Sequence, residues 1–153
     1  MTGARTLLVL AAAVLIGCGP APPPVQTTTT GGSDEPWYGP AVEQLTSLNR
    51  DAERAFQAGK FDEASALILK GEPLANRVVA VPRPTLAAME AASDLDQLYG
   101  RMLLMNRNYG WARLEFQKNR ARWKTWQPQT PETARRLKLA EDGIAECDKG
   151  IEQ

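Results

Sequence analysis

The sequence predicts an all-α domain of antiparallel helical hairpins that follows a disordered tether. Apolar residues recur at steps of three and four positions in successive segments after Pro40, which is the pattern of helices with one buried face. Glycines and prolines separate these segments, and no stretch shows the clear alternating pattern of a strand. The chain of 153 residues has room for one such domain.

The amino-acid composition narrows the possible chemistry. The chain has 18 basic residues, 18 acidic residues and no histidine, which excludes the usual histidine-based triads and histidine-ligated metal sites. No phosphate-cradling glycine loop or nucleophile motif occurs. The catalytic arrangement that the sequence leaves open is a pair of carboxylates brought together by the fold. We therefore predict a protein that is not an enzyme and has no metal or cofactor. The zero net charge makes nucleic acid an unexpected partner, and no small-molecule substrate is inferred.

The N-terminus has the composition of an export signal. Arg5 precedes ten apolar residues from Leu7 to Ile16, fewer than the roughly 20 that span a bilayer. The run ends in Leu15-Ile16-Gly17-Cys18, and this tetrapeptide resembles the lipobox of bacterial lipoproteins. A simple secretory signal or an uncleaved N-terminal anchor is the alternative.

The lipobox resemblance implies a membrane anchor. Residues 1–17 would be a signal peptide removed before Cys18, and Cys18 would carry the covalent lipid. The domain would then lie on the extracytoplasmic side of the bacterial cell membrane or the outer membrane. Gly19 stands where an aspartate marks inner-membrane retention in enterobacterial lipoproteins, which favours the outer membrane.

The linker and the second cysteine are interpreted separately. Residues 18–40 are rich in proline, threonine and glycine and lack an apolar period, which is typical of a disordered linker. Lipidation of Cys18 leaves Cys147 without an intramolecular partner. Because Cys147 lies on the apolar phase of the last helix, we interpret it as a small buried hydrophobe rather than a reactive thiol.

Two helices are predicted for the first half of the domain. A periodic apolar segment predicts a helix from residue 41 to 58, ended by Gly59. A second helix follows at once, and Gly71 and Pro73 are expected to weaken or end it. The valines and prolines of residues 78–84 predict an extended connection with little regular structure.

Three further helices are predicted after this connection. Thr85 opens a third helix that runs to residue 107, and Ser93 could cap a fresh start inside it. A turn then leads to a fourth helix over residues 110–126. Thr130-Pro131-Glu132 combines a capping hydroxyl with a proline at the first helical position, and it starts the terminal helix.

The two hairpins share an internal offset of 48 residues. The equivalent pairs are Ala52 and Gly100, Phe56 and Leu104, Phe61 and Tyr109, Ala64 and Ala112, and Ile68 and Phe116. Small residues on both helices, with an aromatic residue past the turn, resemble the tetratricopeptide repeat. The resemblance implies two degenerate units and a C-terminal capping helix, although the offset exceeds the family period of about 34 residues. An unrelated small helical bundle is the alternative.

The tetratricopeptide resemblance also implies a binding face. The partner-facing positions of the family map to Asn49, Glu53, Gln57, Asp94, Gln97 and Arg101. Polar side chains at this spacing share one helix face, as a peptide groove requires, or they form an ordinary solvent face. Together with the lipobox, the pattern predicts a membrane-anchored adaptor or scaffold that holds a protein partner in the bacterial cell envelope.

Residues 101–126 support a second hypothesis. The segment interleaves aromatic residues with seven basic residues and one acid, which favours an anionic polymer or lipid surface bound through Arg113, Arg120 and Lys124. A helical projection also predicts one core stripe that consists of Met105, Tyr109, Ala112, Phe116, Trp123 and Trp126. In that interpretation the basic side chains are the solvated flanks of a buried stripe.

Overall fold

The computed structural model describes residues 32–153. The signal peptide 1–17, the lipidation site Cys18 and the linker up to Gly31 lie outside the described residues, so the predictions made for them stay predictions. Residues 32–153 form five helices, which are α1 (Tyr38–Gln57), α2 (Phe61–Val79), α3 (Leu86–Met105), α4 (Tyr109–Thr125) and α5 (Pro131–Ile151). This part of the chain contains no strand, and the predicted all-α class is confirmed.

Short connections make consecutive helices antiparallel. Each helix packs on the next one, and α3 also contacts α1 and α5. The three odd-numbered helices therefore run in the same direction and lie side by side, with α2 and α4 behind them. We call the side of α1, α3 and α5 that is turned away from α2 and α4 the inner face.

The internal offset is present in the helix boundaries. α1 and α3 begin at Tyr38 and Leu86, and α2 and α4 begin at Phe61 and Tyr109, in both cases 48 residues apart. The hairpins α1–α2 and α3–α4 therefore have their helices at equivalent places along the chain, and α5 packs against the second hairpin.

The core has two parts. The larger part joins α1, α2 and α3 around Leu45, Ile68 and Leu95. The smaller part joins α3, α4 and α5 around Phe116 and Cys147. Cys147 is fully buried, which confirms its interpretation as a small buried hydrophobe, and burial raises the pKa of its thiol.

α1 begins at Tyr38, three residues before the predicted start. The Tyr38 side chain is buried, and its hydroxyl oxygen accepts a hydrogen bond of 3.0 Å from the backbone N–H of Thr85. Trp37 packs edge-on against Tyr38, and the Arg77 guanidinium lies 3.8 Å from the centre of the Trp37 ring. These contacts hold the first turn, which tolerates Pro40 because first-turn N–H groups have no helical partner.

The prediction that Gly71 and Pro73 weaken or end α2 is wrong, because the helix continues to Val79. Gly71 is buried where an added Cβ would lie 3.1 Å from Leu95 Cδ1, so it marks a close approach of α2 to α3. Pro73 lies on the exposed side, where water can solvate the carbonyl group that loses its helical partner. Val78 is fully buried beyond it, and this packing stabilises the last turn.

The connection between α2 and α3 is short, and α3 is unbroken. Residues 80–85 link the two helices, so the extended segment predicted for residues 78–84 begins too early. α3 follows Thr85, which confirms the predicted opening, and the Thr85 side chain caps the first turn. Ser93 caps no new start, because its hydroxyl accepts a hydrogen bond of 2.8 Å from Nε1 of Trp123 in α4.

The last two helices begin within one residue of their predicted starts. Thr130 forms a capping box with Thr133, which confirms the predicted opening of α5. Met105 is the last residue of α3 and is 56% exposed, so its assignment to the core stripe is wrong. The turn at residues 106–108, where Arg107 has a φ of 57°, separates Met105 from α4 and interrupts the helical projection.

Candidate interaction groove

The inner face contains a groove of about 320 Å³ between α1 and α3. Five of the six predicted partner-facing residues line it, namely Asn49 and Glu53 from α1 and Asp94, Gln97 and Arg101 from α3. Equivalent positions of the two repeated units meet here because α1 and α3 run side by side in the same direction. Thr46, Arg50 and Leu98 complete the lining.

Asn49 is the most buried polar side chain of the groove, with 9% of its surface exposed. Its Nδ2 group donates a hydrogen bond of 2.6 Å to the carbonyl oxygen of Ala91 in α3. Its Oδ1 atom has no hydrogen-bond partner within residues 32–153. A buried acceptor without a partner costs about 1–3 kcal/mol. Asn49, which lines the groove, therefore carries a buried acceptor without a partner among the described residues.

An ion pair bridges the groove. The Arg101 guanidinium in α3 donates to both carboxylate oxygens of Glu53 in α1, with distances from 3.0 to 3.2 Å. It also lies 4.7 Å from the centre of the Phe56 ring. Gln57, the sixth predicted residue, does not line the groove but donates a hydrogen bond of 2.9 Å to Glu53. Both charges of the bridge are thus paired and held in position.

α5 extends the inner face next to Asp94. Arg136 of α5 pairs with Asp94 at 2.6 Å and with Glu132 at 2.8 Å. The hydrogen bond from Arg135 lowers the pKa of the Glu132 carboxyl to about 2, and the charge of Arg136 adds to this effect. A smaller depression of about 90 Å³ between α3 and α5 shares Asp94 and Gln97 with the groove. The inner face is therefore continuous across three helices.

The basic segment 101–126 is largely neutralised by acids on other helices. Two of the three residues predicted to bind an anionic surface are ion-paired with α5, in the pairs Arg113–Asp148 at 2.6 Å and Arg120–Glu141 at 3.7 Å. Lys124 is exposed and makes no ion pair with residues 32–153. Phe116 and Trp123 are buried, as a core stripe requires. The geometry gives little support to the hypothesis that this segment binds an anionic polymer or lipid surface.

The sequence alone did not predict the buried polar network between α3 and α4. Asn119 donates a hydrogen bond of 3.0 Å to the Ser93 carbonyl and accepts one from Arg122. Arg122 also pairs with Asp96 at 2.9 Å, while burial raises the pKa of the Asp96 carboxyl against the attraction of Arg122. The sequence signal is a set of polar residues on the apolar phase of two helices. Their partners become evident once the helices are packed.

Within residues 32–153, every helix is too short or too polar to cross a membrane. The same part of the chain contains no group of three His, Cys, Asp or Glu side chains that could hold a metal ion. Comparison of the chain with protein-family models, with curated proteins and with solved structures finds no match. The fold and the groove thus define a helical-hairpin domain with a polar groove between α1 and α3.

Proposed function

We propose that this protein is a lipid-anchored adaptor of the bacterial cell envelope that holds a partner protein in the groove between α1 and α3. The lipid on Cys18 would be the anchor, and the following linker would separate the domain from the lipid surface. The adaptor would act by recruitment, because confinement of two molecules to one surface raises their effective concentration. Neither a metal, a cofactor nor a catalytic step enters this mechanism.

The observation that carries the proposal is the buried, unpartnered Oδ1 of Asn49 in a groove lined by two repeated helices. Buried polar groups in native proteins nearly always have partners, so an exception calls for a specific explanation. A backbone N–H of an extended partner segment is a donor of the required kind. The Gln97 amide and the Arg50 guanidinium line the same groove and can donate to the carbonyl groups of that segment.

Two resemblances add support. Residues 15–18 resemble a lipobox, and the hairpins resemble degenerate tetratricopeptide units whose first helices face the partner. The outward side of α5 carries exposed charges such as the Lys138–Asp142 pair, which suits a helix that caps a short array. The alternative function is the binding of an anionic polymer or lipid through Arg113, Arg120 and Lys124. It has less support because two of these side chains are already ion-paired.

Site-specific photocrosslinking in intact cells tests the proposal. A photoreactive amino acid in place of Gln97, which lines the groove, should give a crosslinked protein of defined mass. The matched control replaces Lys138, which is exposed on α5 and does not line the groove. No adduct at position 97, or the same adducts at both positions, would contradict the proposed groove.

A further inference from the structure

A further depression of about 350 Å³ continues the inner face at the end of the domain where the hairpin turns lie. We call it the lower pocket, and its lining residues are Phe56, Arg101, Leu104, Met105, Tyr109 and Glu146. Its volume is at the small end of the range of roughly 300–1,000 Å³ found for ligand sites. Arg101 lines both the groove and the lower pocket, so one extended segment can occupy both.

Glu146 supplies the unbalanced charge of the lower pocket. The other charged lining residue, Arg101, already donates to both carboxylate oxygens of Glu53. Glu146 is exposed on α5 and makes no ion pair with any residue in the described range 32–153. The lower pocket therefore presents one free carboxylate, which attracts a cation.

The walls of the lower pocket are apolar and aromatic. Met105 is largely exposed, and Phe56 and Tyr109 are half-buried. A lysine or arginine side chain matches these surroundings, because its methylene groups pack on apolar surface while its charged end meets the carboxylate. A purely apolar side chain would instead bring Glu146 out of water without a partner, which costs free energy.

Other exposed apolar side chains surround this end of the domain. Phe61 begins α2, Trp111 lies in the first turn of α4 and is 67% exposed, and Ile151 ends α5. Other apolar side chains, such as Leu69 and Leu139, are exposed elsewhere on the domain. A segment that follows the groove past Arg101 reaches the lower pocket at this end.

We propose that the lower pocket binds a lysine or arginine side chain of the partner segment that occupies the groove. This inference rests on the proposed function and specifies the chemistry of the partner. The basic head group donates hydrogen bonds to the Glu146 carboxylate, and the methylene stem packs against Met105 and Tyr109. The partner segment is therefore basic at the end that reaches the hairpin turns.

Selection from a phage-displayed library of random peptides tests the inference, with the full chain purified in detergent as the target. Selected peptides should share a lysine or arginine. Glu146→Gln should remove this preference and weaken the binding of a selected peptide about tenfold, through the loss of one charge-assisted hydrogen bond. Glu146→Lys should select acidic peptides instead. The matched control is Asp142→Asn on the same helix, whose carboxylate pairs with Lys138 outside the pocket, and it should keep the basic preference.

The outcomes separate the lower pocket from the groove. Selected peptides without a basic preference, or basic peptides that bind Glu146→Gln as tightly as the unaltered chain, would overturn the lower pocket. If Gln97→Ala still weakens the binding of such peptides, the groove remains supported and only the lower pocket is overturned. Failure to select any peptide would overturn both. The melting temperature should be the same for Glu146→Gln and the unaltered chain, because Glu146 is exposed and unpaired within the described residues.

Discussion

Gly143 of α5 lies so close to the ring of Phe116 in α4 that a Cβ added to it would stand 2.7 Å from the ring. Gly100 of α3 faces the same ring, and a Cβ there would also stand 2.7 Å away. Phe116 is almost fully buried, so the ring cannot swing out into solvent without leaving the core. The two glycines therefore let α3 and α5 approach the ring closely, and the ring positions α4 against both helices.

Alanine at either glycine should destabilise the domain. We expect Gly143→Ala and Gly100→Ala each to lower the free energy of unfolding by about 1–3 kcal/mol, because overpacking outweighs the better helix propensity of alanine. Gly110→Ala is the control, since an added Cβ there meets nothing within 4 Å. Urea unfolding measures all three. A loss of stability for Gly110→Ala as large as for Gly143→Ala would contradict the packing argument.

Ser93→Ala should also be destabilising. The substitution leaves the indole N–H of the fully buried Trp123 without its acceptor, which costs about 1–3 kcal/mol. Ser65→Ala is the matched control, because Ser65 lies on α2 and makes no side-chain hydrogen bond within residues 32–153. Thermal unfolding compares the two variants. Equal melting temperatures would mean that the Ser93 hydroxyl does not stabilise the α3–α4 interface.

Asn49→Leu should separate binding from stability. It removes the unpartnered acceptor together with the hydrogen bond to Ala91, so the free energy of unfolding should change by less than about 1 kcal/mol. The crosslink from position 97 should nevertheless disappear, because the donor of the partner loses its acceptor. Asn76→Leu is the control, because Asn76 is exposed on α2 and does not line the groove. Undiminished crosslinking in Asn49→Leu would remove Asn49 from the binding site.

Glu132 should contribute to the acid sensitivity of folding. Its folded-state pKa of about 2 lies below the ordinary value of 4.5, so the carboxylate favours the folded state above pH 4.5. This contribution is lost as the pH falls from 4.5 through about 2, where the folded-state carboxylate takes up its proton. Glu132→Gln should therefore lose less stability than the unaltered chain over this window. NMR titration of the Glu132 carboxyl measures the pKa directly, and a midpoint near 4.5 would refute the prediction.

Cys18→Ala tests the membrane anchor. If residues 15–18 are a lipobox, the variant should accumulate as an uncleaved precursor and should not incorporate radiolabelled fatty acid. Cys147→Ala is the control, because that thiol is buried in the folded domain. Unchanged processing and labelling of Cys18→Ala would leave a simple secretory signal as the better interpretation.

The helix positions were largely predictable because they depend on local signals. The apolar period, the Thr130-Pro131 opening and the turn glycine Gly59 all act within a few residues of the chain. The prediction failed at Gly71 and Pro73, where a local stop signal is outweighed by the packing of the helix on both sides of it. The prediction for Ser93 failed for a related reason, since the hydroxyl that could cap a new helix bonds to a side chain 30 residues away.

The groove was predictable in its position but not in its chemistry. Five of the six predicted residues meet there because both hairpins carry the same pattern at the same spacing. The pattern did not indicate that Arg101 is paired with Glu53 or that Arg113 and Arg120 are paired with α5. The net positive charge of segment 101–126 therefore gave a misleading impression of a free basic surface.

The order of residues along the chain thus sets the helices, their turns and the offset of 48 residues between the two hairpins. These features follow largely from contacts between near neighbours, which a periodic pattern describes. Helix packing sets which polar groups find partners and which, like Asn49 Oδ1 and the Glu146 carboxylate, find none within the described part of the chain. Pairing depends on distances between residues far apart in sequence, and those distances exist once the core has assembled.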